Sequence, residues 1–187
     1  MKKEITIGVS NRHLHLTKET YDKLFDEPIG KLRDLTQPGM FVSDKTVSLI
    51  TDNHQIDNVK LLGPLRDYDQ VEISHNDALK FKIDPPVRAS GDLDGAAPIT
   101  IQTPKASITI PCAIIAERHI HISKEEAKEL NLVDKQLVHV QIDGIKSGVM
   151  DAHIKVSDTA FLEMHIDTDD ANAFIINDKN NKGTIII

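Results

Sequence analysis

The sequence predicts a mainly β protein, built from β-rich barrels in two related domains. Short alternating strands separated by turns run along most of the 187 residues. Only three short helices are predicted between them, without the strand–helix–strand rhythm of a Rossmann-type sheet. A ten-residue segment also occurs twice, as SNRHLHLTKE at 10–19 and AERHIHISKE at 116–125, an offset of 106 positions. Such a repeat indicates an internal duplication, and therefore two domains of similar architecture.

The first half of the chain alternates between predicted strands and helix starts. Strands are predicted where apolar or β-branched residues alternate with polar ones, and turns where Gly, Pro, Asp or Asn cluster. A helix over 18–26 follows Thr17 and ends at Asp26-Glu27-Pro28, while Ser74 begins a second helix through an S-x-x-D capping box. The strands predicted in this half are 5–9, the Arg-His-x-His segment, 40–42, 46–50, 56–62, 70–73 and 99–102.

The second half also consists of short predicted strands with short helices between them. Ser123 begins an S-x-x-E capping box, which predicts a helix over 124–130, and 169–173 is predicted as a helical turn. The strands predicted here are 107–110, 112–115, 137–142, 148–156, 161–166 and 183–187. The short strands and helices of both halves therefore agree with a duplicated β-rich fold.

Composition and charge argue against several classes of protein. A formal net charge of −7 and the absence of tryptophan disfavour nucleic acid or an anionic membrane surface as the main partner. No apolar run approaches the ~18 residues that a membrane span needs, and no signal peptide precedes the first strand. The single cysteine, Cys112, lies in an apolar run and is interpreted as a small buried residue. A chain without an internal disulfide suits the reducing cytoplasm, where we expect this protein.

The repeated Arg-His-x-His motif predicts a metal-binding device. Side chains two positions apart share one face of a strand, so His13 and His15 point one way and Leu14 points into the core. The second copy arranges His119 and His121 in the same way. Two imidazoles on one face supply half of a tetrahedral zinc site, with Zn–N distances of ~2.0–2.1 Å.

The third ligand of each site must come from outside the motifs. Glu72 and His165 are candidates, and a fourth position left to water or substrate would make a site catalytic. Arg12 and Arg118, each just before the two histidines of its motif, alternate away from the presumed metal face, which favours supporting or structural roles. The histidines interpreted as exposed or hydrogen-bonded are His54, His75, His139 and His153.

Two further segments contain groups suited to an anion. Arg66 follows the turn Gly63-Pro64, where a guanidinium can bind a phosphate bidentately at the rim of a pocket. The sequence pattern alone favours an ion pair of Arg66 with Asp67 or Asp69 over phosphate binding. Ser90-Gly91-Asp92 presents a hydroxyl and backbone N–H groups that fit a phosphate, but it also fits an ordinary turn.

Taken together, these segments resemble the PduL-type phosphotransacylases (phosphate propanoyltransferases). The segments that carry the resemblance, in the family's order from about residue 5 to residue 173, are GVSNRHLHLT, GPLRDYDQVEIS, PPVRASGDLDG, ERHIHIS and LEMHIDTDDANA. Asp69, Ala89 and the pair His75-Asn76 depart from the family pattern. Because they lie beside the expected phosphate site, they could alter acyl or phosphate preference.

The resemblance implies a fold and a set of site residues. Two similar small β-barrels capped by short α-helices are implied, one from residues 1–10 with 118–187 and the other from residues 11–117. Two zinc ions per chain are implied, the first held by His13, His15 and Glu72, the second by His119, His121 and His165. Arg66 is implied as the catalytic residue that binds the transferring phosphate, with Ser90 as a supporting contact. The coenzyme A contacts are not assigned.

The implied activity is reversible transfer of a short acyl group, acetyl or propanoyl, between coenzyme A and phosphate. The expected partners are acyl-CoA, acyl phosphate and phosphate, with a homodimer as a family-level expectation. We expect that the N-terminal extension that directs some members into bacterial microcompartments is absent. A cupin-like mononuclear metalloenzyme remains an alternative, since an HxH pair with a Glu and a later His also binds the metal in that class of enzyme. A non-catalytic zinc-binding module is another.

Overall fold

The computed structural model describes residues 2–186 and separates into two compact units. The C-terminal unit contains the residues up to Asn11 together with those from Glu117 onward, and the N-terminal unit is Arg12–Ala116. The end of the last predicted strand, Ile187, lies outside the described residues, as does Met1. Among the described residues, no helix has the length and apolar character needed to cross a membrane.

The described residues form fourteen strands and four short helices, divided between the two units. In chain order the strands are β1 (Lys2–Val9), β2 (His13–His15), β3 (Lys31–Asp34), β4 (Phe41–Ile50), β5 (Gln55–Gly63), β6 (Gln70–Glu72), β7 (Val87–Arg88), β8 (Ala97–Gln102), β9 (Ser107–Ala116), β10 (His119–Ser123), β11 (Leu137–Ile142), β12 (Gly148–Ser157), β13 (Glu163–Ile166) and β14 (Lys182–Ile186). The helices are α1 (Lys18–Leu24), α2 (His75–Phe81), α3 (Lys124–Glu129) and α4 (Thr168–Phe174).

Each unit contains a closed six-stranded barrel with the same pairing pattern. The C-terminal barrel runs β1-β13-β10-β12-β11-β14 and back to β1. The N-terminal barrel runs β9-β6-β2-β5-β4-β8, and it closes because β8 pairs with both β4 and β9. The two parallel pairs of one barrel, β1–β13 and β10–β12, correspond to β9–β6 and β2–β5 in the other. The predicted mainly β fold with two similar barrels is confirmed.

The first strand of each repeat belongs to the barrel of the other repeat. β1 pairs with β13 and β14 of the C-terminal unit, although the next strand in the chain, β2, is in the N-terminal barrel. In the same way β9 pairs with β6 and β8, while β10 begins the C-terminal motif. Each barrel is therefore built from segments of both repeats.

Alternation along the motif strands fills the two barrel cores. Leu14 and Leu16 are fully buried in the N-terminal core, and Ile120 and Ile122 are fully buried in the C-terminal core. The helices begin at side-chain caps, which are Thr17, Ser74, Ser123 with its complete capping box, and Asp167.

The strand predictions missed two strands, β3 and the two-residue β7, and divided two others. β3 was missed because all four of its residues are exposed and polar or charged residues predominate. The predicted breaks at 43–45 and at Pro111 lie within the continuous strands β4 and β9. Register shifts absorb both irregularities, one between Val42 and Thr46, and one where Pro98 of β8 meets Pro111.

Candidate metal centres and anion site

Antiparallel pairing of β2 with β6 brings three donor side chains together in the N-terminal unit. His13 lies directly opposite Glu72, and His15 lies opposite Gln70. One ligand atom each from His13, His15 and Glu72 lies within 4.8 Å of the others. Nε2 of His13 is 3.3 Å from Oε2 of Glu72. Ligand atoms in a tetrahedral zinc site are separated by roughly 3.3 Å when metal–ligand distances are ~2.0–2.1 Å. This donor set therefore fits zinc.

His15 supplies a second observation that favours a metal at this place. Its Nδ1 atom is buried and has no hydrogen-bond partner among the described residues. Burial, together with a smaller contribution from the neighbouring His13, lowers the pKa of His15 to about 3, so the ring is neutral near pH 7. Buried ring nitrogens normally have a partner, and a neutral imidazole nitrogen is the form that binds a metal. A metal ion at this position would give the buried Nδ1 a partner.

Three imidazoles meet in the C-terminal unit through the pairing of β10 with β13. His119 lies opposite His165, and one nitrogen each from His119, His121 and His165 lies within 4.8 Å of the others. Nε2 of His119 is 3.1 Å from Nε2 of His121. Nδ1 of His119 is 2.9 Å from the backbone oxygen of Glu117. Because Nδ1 donates to that carbonyl, Nε2 is the nitrogen of His119 that is suited to bind a metal.

Glu72 and His165 occupy equivalent positions in the two repeats. Each lies opposite the first histidine of its motif. Each also stands two residues before the N-cap of the following helix, which is Ser74 in one repeat and Asp167 in the other. The candidate third donor therefore lies at the same position in both repeats, but it is a carboxylate in one repeat and an imidazole in the other.

Arg12 and Arg118 bind the helix that follows the third donor. Nε and Nη2 of Arg12 donate to the carboxylate of Asp77 at 2.5 and 3.0 Å. The same atoms of Arg118 donate to Asp170 at 2.8 and 2.7 Å. The bond to Asp170 raises the pKa of Arg118. These bidentate pairs tie each motif to α2 or α4, in agreement with the supporting role expected for both arginines.

Arg66 and Ser90 lie together, although 24 positions separate them in the chain. Nη1 of Arg66 donates to Oγ of Ser90 at 3.0 Å and to the hydroxyl of Tyr68 at 2.5 Å. The Arg66 guanidinium carbon also lies 5.4 Å from the centroid of the Tyr68 ring. Asp69, one of the two ion-pair partners considered for Arg66, instead accepts hydrogen bonds from Thr17 and Thr20 at the start of α1.

Gln70 connects this cluster to the candidate metal centre of the N-terminal unit. Its Nε2 donates to Oγ of Ser90 at 3.0 Å and to Oε1 of Glu72 at 2.6 Å, and its Oε1 accepts from the backbone N–H of Gly91 at 2.7 Å. Gln70 is fully buried. A continuous series of hydrogen bonds therefore runs from Arg66 to the candidate ligand Glu72.

Sequence reasoning missed Tyr68, Gln70, Asp77 and Asp170 as members of these networks. Gln70 and Glu72 share a strand face, which the sequence does show, but the partner Ser90 comes from another segment. The other histidines have their own surroundings: His54 packs on Phe81, His75 is exposed, His139 contacts Asp151, and His153 contacts Glu117. Cys112 is buried as expected, and burial raises the pKa of its thiol to about 12.

Comparison with known proteins gives one consistent family. The family model described as phosphate propanoyltransferase matches residues 6–177. The phosphate propanoyltransferase of Salmonella typhimurium is 43% identical over 92% of this chain and 84% of the relative. Those of Limosilactobacillus reuteri and Citrobacter koseri are 43% and 44% identical, over 98% and 92% of this chain and 88% and 84% of the relatives. The chain therefore belongs to the phosphate propanoyltransferase family.

Proposed function

We propose that this protein transfers a short acyl group, acetyl or propanoyl, reversibly between coenzyme A and phosphate. One zinc ion is held by His13, His15 and Glu72, and a second by His119, His121 and His165. The two units, one centre in each, are the two domains of the chain. The observation that carries the proposal is the hydrogen-bonded series from Arg66 through Ser90 and Gln70 to Glu72, in a chain of this family.

The chemistry divides between the metals and the residues of the chain. Bound zinc supplies positive charge that ionises a thiol, which with a pKa near ~8.5 is about 3% thiolate at pH 7, and that polarises an acyl or phosphate oxygen. Full ionisation of the thiol contributes at most ~30-fold, or about 2 kcal/mol. An enzyme-scale acceleration of ~10⁶ or more therefore requires that the chain orient the reactants and neutralise developing charge.

Arg66 is the residue suited to the phosphate. Its contacts with Ser90 and Tyr68 are both made through Nη1, which fixes the plane of the guanidinium. A phosphate bound by this fixed fork receives two parallel charge-assisted hydrogen bonds. Ser90 supplies a hydroxyl beside the same group. Arg66 thus neutralises the phosphate while Gln70 keeps the carboxylate of Glu72 in place.

The direct test mixes the zinc-loaded protein with acetyl phosphate or propanoyl phosphate and coenzyme A, and follows the absorbance of the thioester. Thioester formation that requires all three components is the expected result. A fully metallated sample that forms no thioester would contradict the proposal and favour a non-catalytic zinc-binding module. A single zinc ion per chain in an active sample would favour a mononuclear metalloenzyme, since two complete donor sets predict two.

A further inference from the structure

Glu163 of β13 and Gln70 of β6 occupy equivalent positions in the two repeats. Each stands two residues before the third donor of its metal centre, and each lies opposite the second histidine of its motif. Glu163 pairs with His121 in the C-terminal barrel, and Gln70 pairs with His15 in the N-terminal barrel. The duplication therefore placed an acid and an amide of the same length at one structural position.

The exchange of acid and amide mirrors the exchange of the third donor. In the N-terminal centre the donor Glu72 carries the negative charge, and the neutral Gln70 donates to it at 2.6 Å. In the C-terminal centre the donor His165 is an imidazole, and Oε2 of Glu163 lies 2.9 Å from its Nε2. Each centre thus combines two motif histidines with one carboxylate and one uncharged side chain. The carboxylate is the third donor in the N-terminal centre, whereas in the C-terminal centre it stands two residues before the third donor.

The surroundings of Glu163 keep its carboxylate beside the imidazole of His165. Glu163 is only 6% exposed, and burial of a carboxylate is costly unless positive charge or hydrogen bonds compensate. Gly8 of β1 lies alongside: an added Cβ there would stand 3.1 Å from Cδ of Glu163 and 3.3 Å from Cδ2 of His165. A glycine at this position leaves the space that both side chains occupy.

We infer that Glu163 is the anionic partner of the C-terminal metal centre, a positioning residue that raises the affinity of that centre for a divalent cation. This inference rests on the proposed zinc site and adds a residue to it. Three neutral imidazoles bring no negative charge to a divalent ion, and Glu163 supplies it from the position that the neutral Gln70 occupies in the other centre. A carboxylate next to a metal-binding histidine orients the ring and increases its basicity.

The test measures zinc affinity rather than activity. Glu163→Gln keeps the shape of the side chain and removes only its charge, and Glu163→Asp keeps the charge. Both are prepared in the full-length chain carrying Glu72→Ala, so that chelator competition reports the C-terminal centre. The matched control is Glu117→Gln, because the side chain of Glu117 contacts His153, whereas its contact with His119 is made by the backbone oxygen, which the substitution keeps. Melting of the metal-free proteins checks the fold.

Glu163→Gln is expected to weaken zinc binding roughly 10- to 100-fold, with Glu163→Asp recovering part of the loss and Glu117→Gln causing none. Cobalt bound at this centre is expected to change its visible spectrum in Glu163→Gln. Unchanged affinity in Glu163→Gln, with zinc still bound by the parent chain, overturns the role of Glu163 alone. A loss matched by Glu117→Gln, or explained by unfolding of the metal-free variant, also overturns it. A parent chain that binds no zinc overturns the C-terminal centre itself, and with it the two-zinc proposal.

Discussion

Replacement of Arg66 by lysine separates its charge from its geometry. The present guanidinium uses Nη1 for Ser90 and Tyr68, whereas Nη2 makes a long contact with Sδ of Met40 at 4.0 Å, which a phosphate oxygen would replace. Lysine keeps one positive charge but loses the rigid fork, so one of two charge-assisted hydrogen bonds to phosphate is lost. Each such bond contributes ~1.5–3 kcal/mol. Every 1.36 kcal/mol is a factor of ten, so kcat/KM for acyl phosphate should fall roughly 10- to 150-fold. Arg66→Ala removes both hydrogen bonds, so its kcat/KM for acyl phosphate should fall roughly 10²- to 10⁴-fold.

The assay follows thioester formation while acyl phosphate and coenzyme A are varied separately. We expect kcat to fall and KM for acyl phosphate to rise, with KM for coenzyme A little changed. Arg88→Lys is the matched control, because Arg88 lies in the same unit and contacts Asp92 and Asp94. Zinc content should stay near two per chain in every variant. Full retention of kcat/KM in Arg66→Lys and Arg66→Ala would refute the assignment of Arg66 to the phosphate.

Three further predictions concern buried polar groups and the thiol. Gln70→Leu removes three hydrogen bonds, at ~1 kcal/mol each, so the free energy of unfolding from urea titration should fall by about 3 kcal/mol; a loss below ~1 kcal/mol would contradict this. In metal-free protein, the folded state keeps His15 neutral down to about pH 3, whereas the unfolded chain takes up a proton near pH 6.5. The contribution of His15 to the free energy of unfolding is therefore fully present above pH 6.5 and is lost as pH falls toward 3. Between pH 7 and 4.5 the wild type should therefore lose ~3 kcal/mol more than His15→Gln, whereas equal losses would refute the assignment. Cys112, with its pKa raised to about 12, should resist alkylation in the native state at pH 8 and react after denaturation; rapid native labelling would contradict its burial.

The local part of the fold could be predicted because local signals specify it. The capping residues Thr17, Ser74 and Ser123 mark the starts of three helices, and alternation marks most of the strands. The exchange of β1 and β9 between the barrels depends on pairing between distant segments. In this chain no local pattern distinguishes a strand that pairs with its own repeat from one that pairs with the other repeat.

The candidate site shows the same division between local and distant information. The paired histidines follow from the two-residue period of a strand, whereas Glu72 and His165 were assigned through the family resemblance. Gln70 and Glu163 were missed as partners of these donors because their roles depend on register across strands. One signal was present: the repeats align on the third donor, as Gln70-Val71-Glu72-Ile73-Ser74 with Glu163-Met164-His165-Ile166-Asp167. The same alignment places Asp77 and Asp170 three residues after each cap.

The assignment of one zinc ion to each barrel is tested by the zinc content of three full-length proteins, measured together with their thioester-forming activity. The wild type should bind two zinc ions per chain and form thioester. Glu72→Ala and His121→Ala, which each remove a donor from a different centre, should each bind one zinc ion and lose activity. Two zinc ions retained in both variants, or full activity in a chain that binds one, would contradict the assignment of a zinc ion to each barrel.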